Sequence, residues 1–81
     1  MSTIIDYQNI RQNIRILREL KGVSSKEMAA ACTLRQQKRI ADIEEGRGVP
    51  NLEEMVLISR YLGITVDDLI NRKAVVSYSF C

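Results

Sequence analysis

Apolar residues recur at helical spacing from near the start of the chain. Tyr7, Ile10, Ile14, Leu17 and Leu20 lie three or four positions apart and so share one face of a helix. Asp6 is placed to cap that helix, and Gly22 to end it in the left-handed conformation. Ser24-Ser25-Lys26-Glu27 has the form of a capping box. The Ser24 hydroxyl would accept from the Glu27 N–H, and the Glu27 carboxylate from the Ser24 N–H. It predicts a short second helix over 25–32, with Met28, Ala29 and Cys32 inward and three consecutive alanines for close packing.

Thr33-Leu34-Arg35-Gln36 repeats the box, with Gln in the return position. It predicts a third helix that turns Ile40 and Ile43 inward and stops at Gly46. The start of that helix falls either just after Thr33 or nearer Gln36. Pro50 cannot continue a helix. Asn51 caps a fourth, with Glu53 and Glu54 near its positive end and Leu52, Met55, Val56, Ser59 and Leu62 inward up to Gly63. Thr65-Val66-Asp67-Asp68 opens a short fifth helix with Leu69 and Ile70 inward. After Lys73 the period changes to two, with Val76, Tyr78 and Phe80 on one side. This segment is either a strand, paired with its copy in a second subunit or with Thr3-Ile4-Ile5, or a frayed tail. The expected organisation is a domain over 1–73 and a C-terminal tail or strand over 74–81.

Composition narrows the chemistry. At 81 residues the chain makes one domain. It has no apolar run long enough to span a bilayer and no basic-then-apolar leader, so the expected location is the cytoplasm, away from the membrane. Histidine is absent, and the two cysteines, Cys32 and Cys81, lie far apart. The usual zinc and Cys/His catalytic arrangements are thereby excluded. Cys32, four residues after Met28, reads as a small core residue. Glu44-Glu45 and Asp67-Asp68 are adjacent on helices and point in different directions. With no nucleophile paired to a base, the expectation is a non-enzyme without cofactor or metal.

Charge is uneven. Residues 1–40 carry eight Lys and Arg against three Asp and Glu, whereas residues 41–81 carry four against seven. A basic N-terminal half is what docking on nucleic acid needs.

The order of the parts is more specific than any one of them. Ile10-x3-Ile14-x2-Leu17-Arg18-x3-Gly22-Val23-Ser24 is followed by Glu27-Met28-Ala29. Then come Ile40-x2-Ile43-Glu44-x-Gly46, Pro50-x-Leu52 and Leu62-Gly63-Ile64-x2-Asp67-x-Leu69. Over residues 8–71 this closely resembles the phage-repressor, Cro-type (XRE) helix-turn-helix family. The resemblance implies an all-α, five-helix, lambda-repressor-like domain whose third helix lies in the major groove of DNA. It places Gln37 and Lys38 at base edges, with Ala41 and Asp42 one turn on. Gln suits adenine and Lys suits guanine. Arg35 and Arg39 would take phosphates or further bases, and Ser25 and Arg47 would hold the DNA backbone. Arg18 and Glu44 match an ion pair between the first and third helices. Two departures stand out. The chain has one residue more than the usual family spacing between Leu34 and Ile40, so the reading positions can shift by one among Gln36, Gln37 and Lys38. Ser25 also stands where the family commonly has the longer Gln.

The implied function is sequence-specific binding of double-stranded DNA by a transcriptional regulator, a repressor, acting as a homodimer on half-sites about one helical turn apart. The alternative is an antitoxin or protein-interaction module on the same fold, with a protein partner docking at 74–81 by edge pairing.

Overall fold

The computed structural model describes residues 5–74, which form five α-helices. These are α1 (Tyr7–Lys21), α2 (Ser25–Ala31), α3 (Arg39–Glu44), α4 (Leu52–Leu62) and α5 (Val66–Asn71). Among the described residues there is no strand. Apart from Ala74, the strand or tail expected at 74–81 lies outside the described residues, as do Thr3 and Ile4.

Local sequence accounts for most helix boundaries. Asp6 Oδ1 accepts from the Asn9 N–H (3.2 Å) at the start of α1. Ser24 with Glu27 and Asn51 with Glu54 form complete capping boxes, and the Thr65 hydroxyl accepts from the Asp68 N–H (2.9 Å). Gly22 (φ 79°) and Gly63 (φ 77°) end α1 and α4 in the left-handed region that a Cβ disfavours. Of the five helices described, only α3 starts without a side-chain cap, at Lys38.

α1 packs against α3, α4 and α5, while α2 packs on α3 and α4 on α5. Ile10, Ile14, Met28, Ile40, Ile43, Ile58 and Leu69 meet in the centre with no exposed surface. Full burial of each such side chain is worth about 1.5–3 kcal/mol. Cys32 is buried beside them as expected, and burial pushes its thiol pKa up, so the thiol stays protonated at neutral pH.

Three expectations need correction. Tyr7 and Leu20, at the two ends of the α1 stripe, are 37% and 59% exposed. The inner face of α1 instead includes Asn9 and Asn13, each one position before a core isoleucine. Leu52, expected inward, is 68% exposed because it begins the first turn of α4 beyond the core; the buried residues of that helix are Met55 and Ser59, as expected, and Ile58. Finally, the second capping box does not form. Thr33 ends α2 rather than starting α3. The Thr33 N–H donates to the Ala30 carbonyl (3.0 Å) and the Leu34 N–H to the Ala29 carbonyl (2.9 Å). That pair of bonds is a Schellman termination, with Thr33 at φ 56° where glycine is usual.

The buried asparagines have a clear task. α5 ends at Asn71 and the chain becomes extended at Arg72, which leaves the last carbonyls of the helix without intrahelical donors. Asn9 Nδ2 donates to the carbonyls of Ile70 (2.9 Å) and Arg72 (3.1 Å). Asn13 Nδ2 donates to those of Leu69 (2.8 Å) and Arg72 (2.6 Å), and Asn13 Oδ1 accepts from the Ala74 N–H (2.9 Å). Two side chains of α1 thus fix the end of α5 and the exit of the C-terminal segment.

Candidate nucleic-acid interface

α2, α3 and the chain between them form a two-helix unit set on α1 and α4. α2 is fixed at its start by the Ser24–Glu27 box, whose backbone N–H holds the Glu27 carboxyl below its ordinary pKa. Ser25 is the first residue of α2 and is half-buried, with the exposed Lys26 beside it.

The connection runs from Cys32 to Lys38, longer than the sequence pattern suggested. Leu34 packs against the core and anchors its first half. The next four side chains, Arg35, Gln36, Gln37 and Lys38, are all exposed. None of the four has a side-chain hydrogen bond or ion pair among the described residues. The chain closes into α3 through a tight turn, the Arg39 N–H donating to the Gln36 carbonyl (3.0 Å). The expected start of the third helix, at Gln36 or earlier, is therefore corrected to Arg39. The extra residue lengthens the connection, and α3 has only six residues.

Arg39 opens α3 but faces the domain. Its guanidinium makes a two-pronged pair with Glu54 (Nε–Oε2 2.7 Å, Nη2–Oε1 2.8 Å) and donates to the Val49 carbonyl (2.9 Å). Glu54 also closes the α4 capping box, accepting from the Asn51 N–H (3.0 Å). These contacts, led by the Arg39 hydrogen bonds, hold the Glu54 carboxyl below its usual pKa. A Cβ on Gly48 would collide with Arg39 Nη1, so the bare glycine makes room for the guanidinium. The far end of α3 is held in the same manner. Arg18 of α1 pairs with Glu44 (Nε–Oε2 2.7 Å, Nη2–Oε1 3.1 Å) and donates to the Val23 carbonyl (2.8 Å). The Arg18 and Glu44 side chains are 15% and 7% exposed, so the pair is shielded from solvent and fixes α3 against α1.

Ala41 and Asp42 lie half-buried on α3. Asp42 accepts from Arg47 Nε (3.2 Å) and Nη2 (3.1 Å), and Arg47 also pairs with Glu45. Arg47 is largely exposed, and such surface pairs are weak enough to exchange for a phosphate. The structure thus places Arg35, Gln36, Gln37 and Lys38 on one exposed connection, Ser25 at the start of α2 and Arg47 after the end of α3, and turns Arg39 inward. Sequence reasoning missed Glu54 as the partner of Arg39. Asn51 was visible as a cap and Glu54 as a charge near the positive helix end, but the link to α3 was not. An open groove of about 570 Å³ separates the connection from the start of α4, with Leu34, Gln36, Asn51 and Glu53 among its lining. Among the described residues no group of three or more His, Cys, Asp and Glu is placed to share a metal ion, and no helix is long and apolar enough to cross a membrane.

The helix-turn-helix family model matches residues 14–69, from the middle of α1 into α5, and contains the whole unit just described. The chain belongs to the helix-turn-helix family. It is of the Cro-type, phage-repressor kind, which makes it a DNA-binding transcriptional regulator. Solved structures of this helix-turn-helix fold superpose well. A hypothetical transcription factor, NHTF, from Neisseria has TM-score 0.74 at 21% identity, covering 86% of this chain and 85% of its own. The restriction-modification controller protein C.AhdI from Aeromonas hydrophila has TM-score 0.72 at 25% identity, with 80% and 97% covered. The P22 c2 repressor, solved with a synthetic operator, has TM-score 0.72 at 20% identity, with 79% and 96% covered. No curated protein matches the chain in sequence.

Proposed function

We propose that the protein binds a specific site in double-stranded DNA as a homodimer and represses transcription there. Residues 1–73 act as the DNA-binding domain, and 74–81 as the segment that joins two copies. The observation that carries this reading is the run Arg35-Gln36-Gln37-Lys38, exposed and without partners among the described residues, on a rigidly held base. Two cations and two amides in sequence combine what a groove reader needs. The cations are drawn to phosphates, and the amides and Lys38 can hydrogen-bond base edges. Ser25, at the start of α2, and Arg47, just after α3, would take phosphates that set the register, with Ala41 and Asp42 on α3. Arg39 serves by orienting α3. C.AhdI is a controller protein, and the P22 c2 repressor was solved on operator DNA, which accords with this reading.

The test is selection of duplexes from a random library by the purified protein at near-physiological salt. Enrichment of a two-fold-symmetric motif is expected, with half-sites about one helical turn apart. Bulk, salt-sensitive binding without a motif would instead point to the interaction-module reading. Deleting residues 75–81 tests the dimer. It spares Ala74, whose N–H is held by Asn13, and should leave a folded monomer with weakened affinity for the symmetric site.

A further inference from the structure

We infer that the C-terminal segment 75–81 docks on α1 of its own chain, over Ile16 and Leu20. α1 carries Asn9, Asn13, Ile16 and Leu20 at spacings of four, three and four, so the four side chains share one narrow stripe of the helix. The first half of that stripe is occupied, since Asn9 and Asn13 hold the end of α5. The second half is apolar and open to solvent: Ile16 is half-buried and Leu20 is 59% exposed. After Ile70 the chain is anchored step by step along α1 toward it. The Ile70 carbonyl is held by Asn9, the Arg72 carbonyl by Asn9 and Asn13, and the Ala74 N–H by Asn13. Lys73 is exposed but Ala74 is only 1% exposed, so the chain already lies against the domain where it passes Asn13. Residues 75–81 are five apolar residues and two serines, with no charged side chain. Such a segment is favoured on an apolar surface over water. Leu20 lies seven positions beyond Asn13, about 10 Å along the helix. Seven residues cover about 10 Å even when helical and about 23 Å when extended, so the segment reaches Leu20 in either conformation. The seat does not depend on DNA, and it sets the place from which the segment proposed above reaches a second copy.

The test is NMR of the full chain with ¹³C-labelled isoleucine and leucine methyl groups, without DNA. Phe80 is the sole phenylalanine, so contacts from its ring are unambiguous. Through-space contacts are expected from the Phe80 or Tyr78 ring to the Ile16 or Leu20 methyls. Those methyl resonances should move when residues 75–81 are deleted, while the methyls of the buried Ile10 and Ile40 stay in place. In a second sample, a few labelled, protonated chains are diluted into an excess of fully deuterated ones, so that any partner's rings are silent. The contacts should persist there. Their loss on dilution would mean that the two copies exchange segments, which overturns the seat on the same chain while the dimer reading stands. Contacts to neither Ile16 nor Leu20 in the undiluted sample would overturn it outright. A stability comparison adds an independent readout. Leu20→Ser should lower the melting temperature of the full chain and leave that of the chain lacking 75–81 unchanged. An equal effect in both would show that the segment does not cover Leu20, and would likewise overturn the seat.

Discussion

Replacing Asn13 with alanine should be among the most damaging single changes in this domain, although Asn13 is polar and remote from the proposed interface. Its side chain is 2% exposed and makes three hydrogen bonds. Truncation removes the donor to the Leu69 carbonyl and the acceptor for the Ala74 N–H, while the Arg72 carbonyl keeps its bond from Asn9. A buried polar group left without a partner costs about 1–3 kcal/mol. Two such groups, near a helix end that water can partly reach, give a loss of about 3 kcal/mol. Natural domains hold about 0.05–0.15 kcal/mol per residue, so this is a large share of the total for so short a chain. At about 4–8 °C per kcal/mol, the melting temperature should fall by roughly 12–24 °C. Urea and thermal unfolding followed by far-UV circular dichroism measure it directly. Asn9→Ala should cost about 1–2 kcal/mol, because its amide is the smaller contributor and Asn13 still serves Arg72. The two sites share an acceptor, so their effects should not add. A loss under about 1 kcal/mol for Asn13→Ala would refute the view that these side chains carry the end of α5.

Other expectations follow from single contacts. Glu54→Gln should destabilise the domain at neutral pH. Glu54 ionises more readily folded than unfolded, so its contribution is complete above the ordinary value of 4.5 and is lost as pH falls through the lower folded value. The stability gap between wild type and Glu54→Gln should therefore stay constant near neutrality and narrow on acidification below about 4.5; a gap independent of pH would contradict the pairing. Thr33→Gly should raise stability by about 0.5–1 kcal/mol, since a β-branched residue at φ 56° is strained; a lower melting temperature would show that the threonine is not under strain there. Leu52→Ser should change stability by no more than about 0.5 kcal/mol, as expected at an exposed site. A loss of several kcal/mol would place Leu52 in the core after all.

The sequence revealed what neighbours in the chain decide. Asp6, Ser24 with Glu27, Asn51, Gly22 and Gly63 act within one helical turn, and each boundary they signal is present. Thr33 misled because a threonine can cap a helix start or sit in the turn that ends one. Which role it takes depends on where Leu34 is buried, a tertiary matter. Asn9 and Asn13 gave no signal in the sequence because their partners lie about sixty positions away at the end of α5. The same holds for Arg39. A cation beside Gln36, Gln37 and Lys38 looks like part of a DNA-facing row, and only the fold, which brings Glu54 of α4 within reach of the start of α3, turns it inward. The Arg18–Glu44 pair was legible only through the family pattern, not from spacing alone.

The central claim, that this fold selects a DNA sequence, is tested most directly by one titration. A duplex carrying the selected motif and a scrambled duplex of equal length and composition are bound by the full chain at one fixed near-physiological salt concentration. A specific regulator should prefer the motif by about 10³-fold or more. Equal affinity for the two duplexes, both falling steeply with added salt, would mean that only phosphates are recognised and would contradict the account.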